Sequence, residues 1–328
     1  MKQFNAERPV NSQLKFIFML IWLSAIIVLA LLNNPNTEIS LHPWLAGIAE
    51  TTFTTGLGWI IVARLLFITG STIFAWMISV KHFEIPRKDY MLFFILPLVH
   101  FTVYDWSTGL FASVYWTIFL LVLYLLLPNE SSKPPLKNIL TAAICSGFLL
   151  LNGAFALLYF AAGIIIMTVF QNVSFRRVII WIMGFLTPAF FVFFWYFIHD
   201  QTSVILSNPG DFFIKEEFLT FSRPLIFYSI PALLFILILV THSRMNESKI
   251  SVRRSFSALL FSLLIFSPAA FTSVFNVQIL FSIYGLAAVL YWIKIIYNVR
   301  KRIWFIILWL IPLVFPFLFY WLMNNKPY

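Results

Sequence analysis

The chain has 328 residues, of which 61% are hydrophobic and only 10% charged, with a formal net charge of +10. Soluble domains carry roughly a quarter charged residues, so this chain cannot cover itself with a polar surface, and apolar runs of about 17–25 residues, long enough to cross a bilayer as helices, recur along it. The basic excess does not indicate nucleic acid, because Lys and Arg collect here in short loops, where they fix orientation in a membrane.

In chain order, Lys2, Arg8 and Lys15 precede or open the first apolar run, Leu14–Leu32, which ends in "NNPN". It is full length and lacks a small-residue cleavage site, so it reads as a retained first span. A long segment follows over residues 33–56, with Trp44, Leu45, Ile48, Ala49 and Phe53 apolar and Glu50 and Thr51 polar. That pattern predicts a short amphipathic helix lying in the membrane interface. The second span runs from about Leu57 to Val80 and leads to Lys81, Arg87 and Lys88.

The stretch "MLFFILPLVHFTVYDWSTGLFASVYWTIFLLVLYLLL" splits into two spans at a turn over Tyr104–Gly109, and Lys133 and Lys137 follow. The apolar segment between Lys137 and Arg176 is read as two helices of about 16–18 residues, each just reaching across, joined at the turn signal Asn152-Gly153. Arg176 and Arg177 then open "VIIWIMGFLTPAFFVFFWYFI", and a second long loop, His199–Arg223, carries Asp200, Asp211, Glu216 and Glu217. Arg244, Lys249, Arg253 and Arg254 precede two further spans divided near Asn276, and Lys294, Arg300, Lys301 and Arg302 precede the last. Placing every basic group on the cytoplasmic side gives about eleven crossings, with the N-terminus cytoplasmic and the C-terminus outside. The fold class expected is therefore all-α, a polytopic integral membrane protein forming one helical domain over residues 1–328 in a bacterial cytoplasmic (inner) membrane.

Arg64 breaks this pattern from inside the second span. At 1.5 Å per residue it lies about 10 Å below the outer end of its helix, so two readings stand. Its long side chain can snorkel to the headgroups. Alternatively it faces the bundle and needs an anionic partner, either Glu50 or Asp105 or a lipid phosphate, which a guanidinium grips in a bidentate way. Asp105, in "VHFTVYDWSTG", is explained by helix capping alone, or else forms a carboxylate site with His100, Tyr104 and Trp106. Glu38, Asp200, Asp211, Glu216 and Glu217 are the other acids assigned to outer loops, with Glu38 and Asp211 as secondary site candidates, and the length of those loops marks the outer face as the working side. No phosphate-binding Gly-rich loop or HExxH motif is present, and the five His are scattered. No metal and no cofactor is expected, and the single Cys145 excludes an intramolecular disulfide.

Residues 90–200 resemble a family of multi-span envelope proteins of Bacteroidetes-type bacteria, some of which carry the automatic label beta-carotene monooxygenase. The resemblance rests on a short helical hairpin followed by Arg177, Trp181, Gly184 and Pro188. The His cluster that such an oxygenase needs is missing here. More distantly, the order of a first span, a long outer loop with a carboxylate (Glu38 or Glu50) and a short outer loop with another (Asp105) is similar to GT-C-class glycosyltransferases. That likeness implies a polyprenyl-phosphate-linked sugar as substrate, Glu50 or Asp105 as the general base and Arg64 as the phosphate ligand. The other expectation is a non-enzymatic envelope component that transports a lipid-like substrate or scaffolds a complex, with membrane lipids and other envelope proteins as partners.

Overall fold

The computed structural model describes residues 57–85, 96–97, 100, 106–128, 133–152, 155–200, 235–236, 238–240, 242, 249–267 and 283–294. The chain divides into two units, Met1–Pro35 and Asn36–Tyr328, and every described residue belongs to the second. Among the described residues the structure is all-helical. The helices are α1 (Leu57–His82), α2 (Trp106–Leu126), α3 (Leu136–Phe148, prolonged by a 3-10 turn over Leu149–Asn152), α4 (Ala156–Val169), α5 (Phe175–Ile198), α6 (Ile250–Phe266) and α7 (Ile283–Lys294). Residues 61–82 and 175–198 are long and apolar enough to cross a membrane.

The chain ends these helices by ordinary local means. Helix α1 closes with Lys81 and His82 in its last turn, where positive charge complements the helix dipole. Glu84 then turns left-handed at φ 54°, and the Ser79 carbonyl accepts from Phe83 and Ile85 N–H. Pro128, Pro134 and Pro135 separate α2 from α3, with Pro135 extended at the start of α3. Helix α4 ends in a Schellman motif. Gln171 adopts φ 53°, its N–H reaches Thr168 O at 2.9 Å, and Asn172 N–H reaches Met167 O at 2.8 Å.

Contacts between helices fix their directions. Thr117 of α2 lies beside Phe67 and Gly70 of α1, and Tyr124 beside Phe74, so these two helices run parallel. His100, helical like Leu96 and Pro97, lies buried against both of them, its ring between Ser71 of α1 and Ser113 of α2. Helices α3 and α5 are also parallel, with Ala143 against Gly184 and Gly147 against Phe185 and Pro188. Helix α6 runs opposite to both α1 and α7: Phe256 stacks on Phe83, Tyr291 bonds to Phe256 O and Tyr284 to Leu263 O. Helix α4 opposes α6 as well, because Phe155 and Tyr159 at its start meet Phe266 at the end of α6.

Among the described residues these directions gather the basic side chains other than Arg64 at one end of the bundle. Lys294 Nζ donates to Phe83 O at 2.9 Å, Lys249 pairs with Glu84 at 2.7 Å, and Lys81 sits 5.0 Å from the Tyr124 ring centroid. Arg176, Arg177, Arg253 and Arg254 open helices that start at this same end.

Several helices bury polar or small side chains while exposing large apolar ones. On α1 the buried face carries Arg64, Ser71, Thr72, Ala75, Ser79 and His82, while Val62, Leu65, Leu66 and Ile73 are exposed. On α5 the buried residues include Trp181, Gly184, Pro188 and Tyr196, and the exposed ones include Leu186, Phe190, Phe194 and Phe197. In water this arrangement would leave a large apolar surface wet. In lipid it is the expected one, with small residues letting backbones approach and polar side chains bonding across helices. Aromatic packing fills the middle, where Tyr115, Phe119, Phe155, Tyr159 and Phe266 bring α2, α4 and α6 together.

Candidate functional site

Arg64 faces the interior, with 1% of its surface exposed. Of the two readings the sequence allows, this is the bundle-facing one. Its Nη2 donates to the backbone carbonyl of His100 at 3.1 Å. The same residue's imidazole is held by two hydroxyls, Ser71 Oγ at 2.8 Å from Nε2 and Ser113 Oγ at 3.3 Å from Nδ1. Arg64 and Ser71 come from α1, two turns apart on one face, and Ser113 comes from the first half of α2. Thr117, one turn further along α2, has its hydroxyl 2.9 Å from Phe67 O and 2.7 Å from Ser113 O, so one proton ties the two parallel helices together.

Ser71 Oγ also stands 2.8 Å from Ile68 O, so this hydroxyl bridges that carbonyl and His100 Nε2. Thr72 is likewise occupied with Ile68 O. The result is a guanidinium, an oriented imidazole and two hydroxyls, converging from three chain segments inside apolar helices. Such groups bind and orient an anion or carry a proton. A fixed positive charge at this depth is held only when its surroundings compensate it.

His100 and Arg64 are thus brought together out of the residues singled out in the sequence. Glu38, Glu50, Asp105 and Asp211 lie outside the described residues. Ser71 and Ser113 were not singled out, although Arg64, Ser71 and Ser79 recur at a spacing that keeps them on one side of a helix. That stripe was the available signal. Among the described residues, no three His, Cys, Asp or Glu side chains form a metal-binding group.

The motif residues Arg177, Trp181, Gly184 and Pro188 do not join this cluster. Arg177 Nη1 caps the end of α4 at Asn172 O (3.0 Å), and Trp181 Nε1 donates to Phe160 O (3.1 Å). The indole lies flush against Gly163, Gly184 meets Ala143, and Pro188 meets Gly147. Their role is to seat α5 on α3 and α4. No protein-family model matches the chain, and no curated protein is significantly similar to it.

Proposed function

We propose that this chain is a multi-pass protein of a bacterial inner membrane, with about eleven spans and a cytoplasmic N-terminus, that binds an anionic lipid-like substrate for transport across or within the envelope. The observation that carries this reading is the burial of Arg64 on an α1 face where it meets His100 O and lies in line with Ser71 and Thr72. The gathering of basic residues at one end of the bundle supports the topology. Arg64, in the half of α1 opposite that end, then lies towards the outer side. A guanidinium with neighbouring hydroxyls suits a phosphate-type headgroup, offering planar paired donors and an adaptable surround. The test is mass spectrometry of the lipids retained by the purified protein. The native chain should retain an anionic or polyprenyl-phosphate lipid above its share of the membrane, and Arg64→Gln should lose that enrichment several-fold. Identical lipid profiles would refute the reading.

One observation favours a second reading, a GT-C-like glycosyltransferase acting on a lipid-linked sugar at the outer face. Arg64, fourteen residues after Glu50 in the chain, contacts His100, five residues before Asp105. On this reading Arg64 holds the lipid phosphate and one of the two acids deprotonates the acceptor hydroxyl. Host cells carrying Asp105→Asn or Glu50→Gln would then accumulate the lipid-linked sugar. Normal levels in both would exclude this reading while leaving transport intact.

A further inference from the structure

We infer that the end of α1 is a gate: Phe83 and Glu84, clasped from α6 and α7, close over Ser79 and His82, which take up water when the clasp opens. This gate acts whatever the bundle binds, so it does not depend on the Arg64 cluster. Ser79 and His82 lie one turn apart on the inner face of α1, in line with Ala75 and Ser71. They are 0% and 9% exposed, and neither Ser79 Oγ nor His82 Nε2 has a hydrogen-bond partner among the described residues. Neighbouring Ala75 and Ile78 are equally buried and carry no polar side-chain atom. A polar atom buried without a partner costs free energy that hydration returns. Two of them a turn apart suit a bridging water, which needs at least two polar partners.

The cover over these atoms is held from outside α1. Ser79 O accepts from the N–H groups of Phe83 and Ile85, at 3.2 and 3.1 Å, which folds the chain back over the last turn. Glu84 between them sits at φ 54°, a conformation that a residue other than glycine keeps only when its surroundings hold it. The Phe83 ring stacks on Phe256 of α6 with centroids 4.1 Å apart, Glu84 pairs with Lys249 at 2.7 Å, and Lys294 of α7 donates to Phe83 O at 2.9 Å. The Glu84 pair is solvent-exposed and holds little. Lys294 is the stronger hold, because its bond is charge-assisted and part-buried. When that bond releases, Glu84 relaxes and the joint swings outward while the helices keep their places. The closed state thus carries a strained residue and two unpartnered polar atoms that opening relieves. A few contacts set the balance between the two states.

The test uses the full chain in phosphatidylcholine nanodiscs, where both faces meet solvent, with Ser79→Cys in a Cys145→Ala background. The probe is sulfonatoethyl methanethiosulfonate, an impermeant reagent carried by water. The thiolate attacks its sulfenyl sulfur, forming a mixed disulfide and releasing methanesulfinate, so modification reports water at the site. The rate is read by mass spectrometry, and folding is checked by size-exclusion chromatography. Ser79→Cys should react, while Leu126→Cys, equally buried on α2, should not. Lys294→Met should raise the Ser79→Cys rate by about tenfold or more, as expected when the closed state loses a charge-assisted hydrogen bond. Glu84→Gln should change it by less than about threefold. Phe256→Leu, which removes the stack on Phe83, releases the clasp independently and should also raise the rate, so the matter is decided even if Lys294→Met misfolds. A Ser79→Cys as unreactive as Leu126→Cys in every background overturns the gate. So does a rate that neither Lys294→Met nor Phe256→Leu changes, because water then arrives without the clasp opening. The anion site is tested separately by the retained lipids, and either result can fail alone.

Discussion

Adding a single methyl group to Gly163 tests whether the Trp181 region is a packing seam. A Cβ built on Gly163 lies 2.7 Å from Trp181 Cε2 and nearer still to Cζ2 and Cη2. Carbon atoms in ordinary contact sit at about 3.5–4.0 Å, so the indole must withdraw by more than an ångström. Its Nε1 is already 3.1 Å from Phe160 O, and a retreat of that size breaks the bond. Overpacking costs about 1–3 kcal/mol, and stranding a buried donor costs about 1–3 kcal/mol more. Gly163→Ala should therefore destabilise the protein by about 2–5 kcal/mol, read as a shift in the unfolding transition in detergent. In a Trp181→Phe background the methyl group gains room, so most of that cost should vanish, a coupling that a double-mutant cycle isolates. A single-variant cost under about 0.5 kcal/mol, the level of an ordinary surface substitution, or strict additivity in the cycle, would refute the seam.

Gln171 holds an exposed left-handed position that glycine adopts freely, so Gln171→Gly should raise stability by about 0.5–1 kcal/mol in thermal unfolding. Thr117→Val keeps the volume but removes the proton shared between α1 and α2, and should lower stability by about 1 kcal/mol in the same assay. Glu84→Gln should change stability by less than about 1 kcal/mol, since its ion pair with Lys249 is solvent-exposed on both sides. Direction through the membrane is checked with single cysteines in a Cys145→Ala background. An impermeant maleimide added to intact cells should label Asp200→Cys, at the far end of α5, and should label Lys249→Cys only after permeabilisation. The reverse order would overturn the assigned orientation.

Much of this architecture can be read from flanking charges and chain breaks. Lys81 and Lys133 on the same side demand that the second and fourth spans run parallel, and α1 and α2 do. The turn at Asn152-Gly153 predicts the hairpin formed by α3 and α4, although α3 narrows into a 3-10 turn before it and α4 is shorter than expected. The facing of Arg64 was not legible, because hydrophobic periodicity needs a contrast between a wet and a dry side. Exposed Leu65 and Leu66 are as apolar as buried Ile68, so in a helix surrounded by lipid the usual reading has no phase. What marks the inner face is the reverse pattern, hydroxyls and small side chains. The meeting of His100 with Ser71 and Ser113 joins three separate segments, and spacing along one chain cannot specify it.

The bonds from side chains to carbonyls of neighbouring helices also limit how this bundle can move. Tyr159 reaches Tyr115 O, Trp181 reaches Phe160 O, Thr117 reaches Phe67 O, Lys294 reaches Phe83 O, and Tyr284 and Tyr291 reach Leu263 O and Phe256 O. They link α5, α4, α2, α1, α7 and α6 in one unbroken series. Each is a pin set at a fixed height: sliding a helix by one residue, a rise of about 1.5 Å, would pull a donor off its acceptor. Rotation about such a pin leaves the bond intact. The helices of this bundle are therefore free to tilt against one another like slats on rivets, with their heights unchanged.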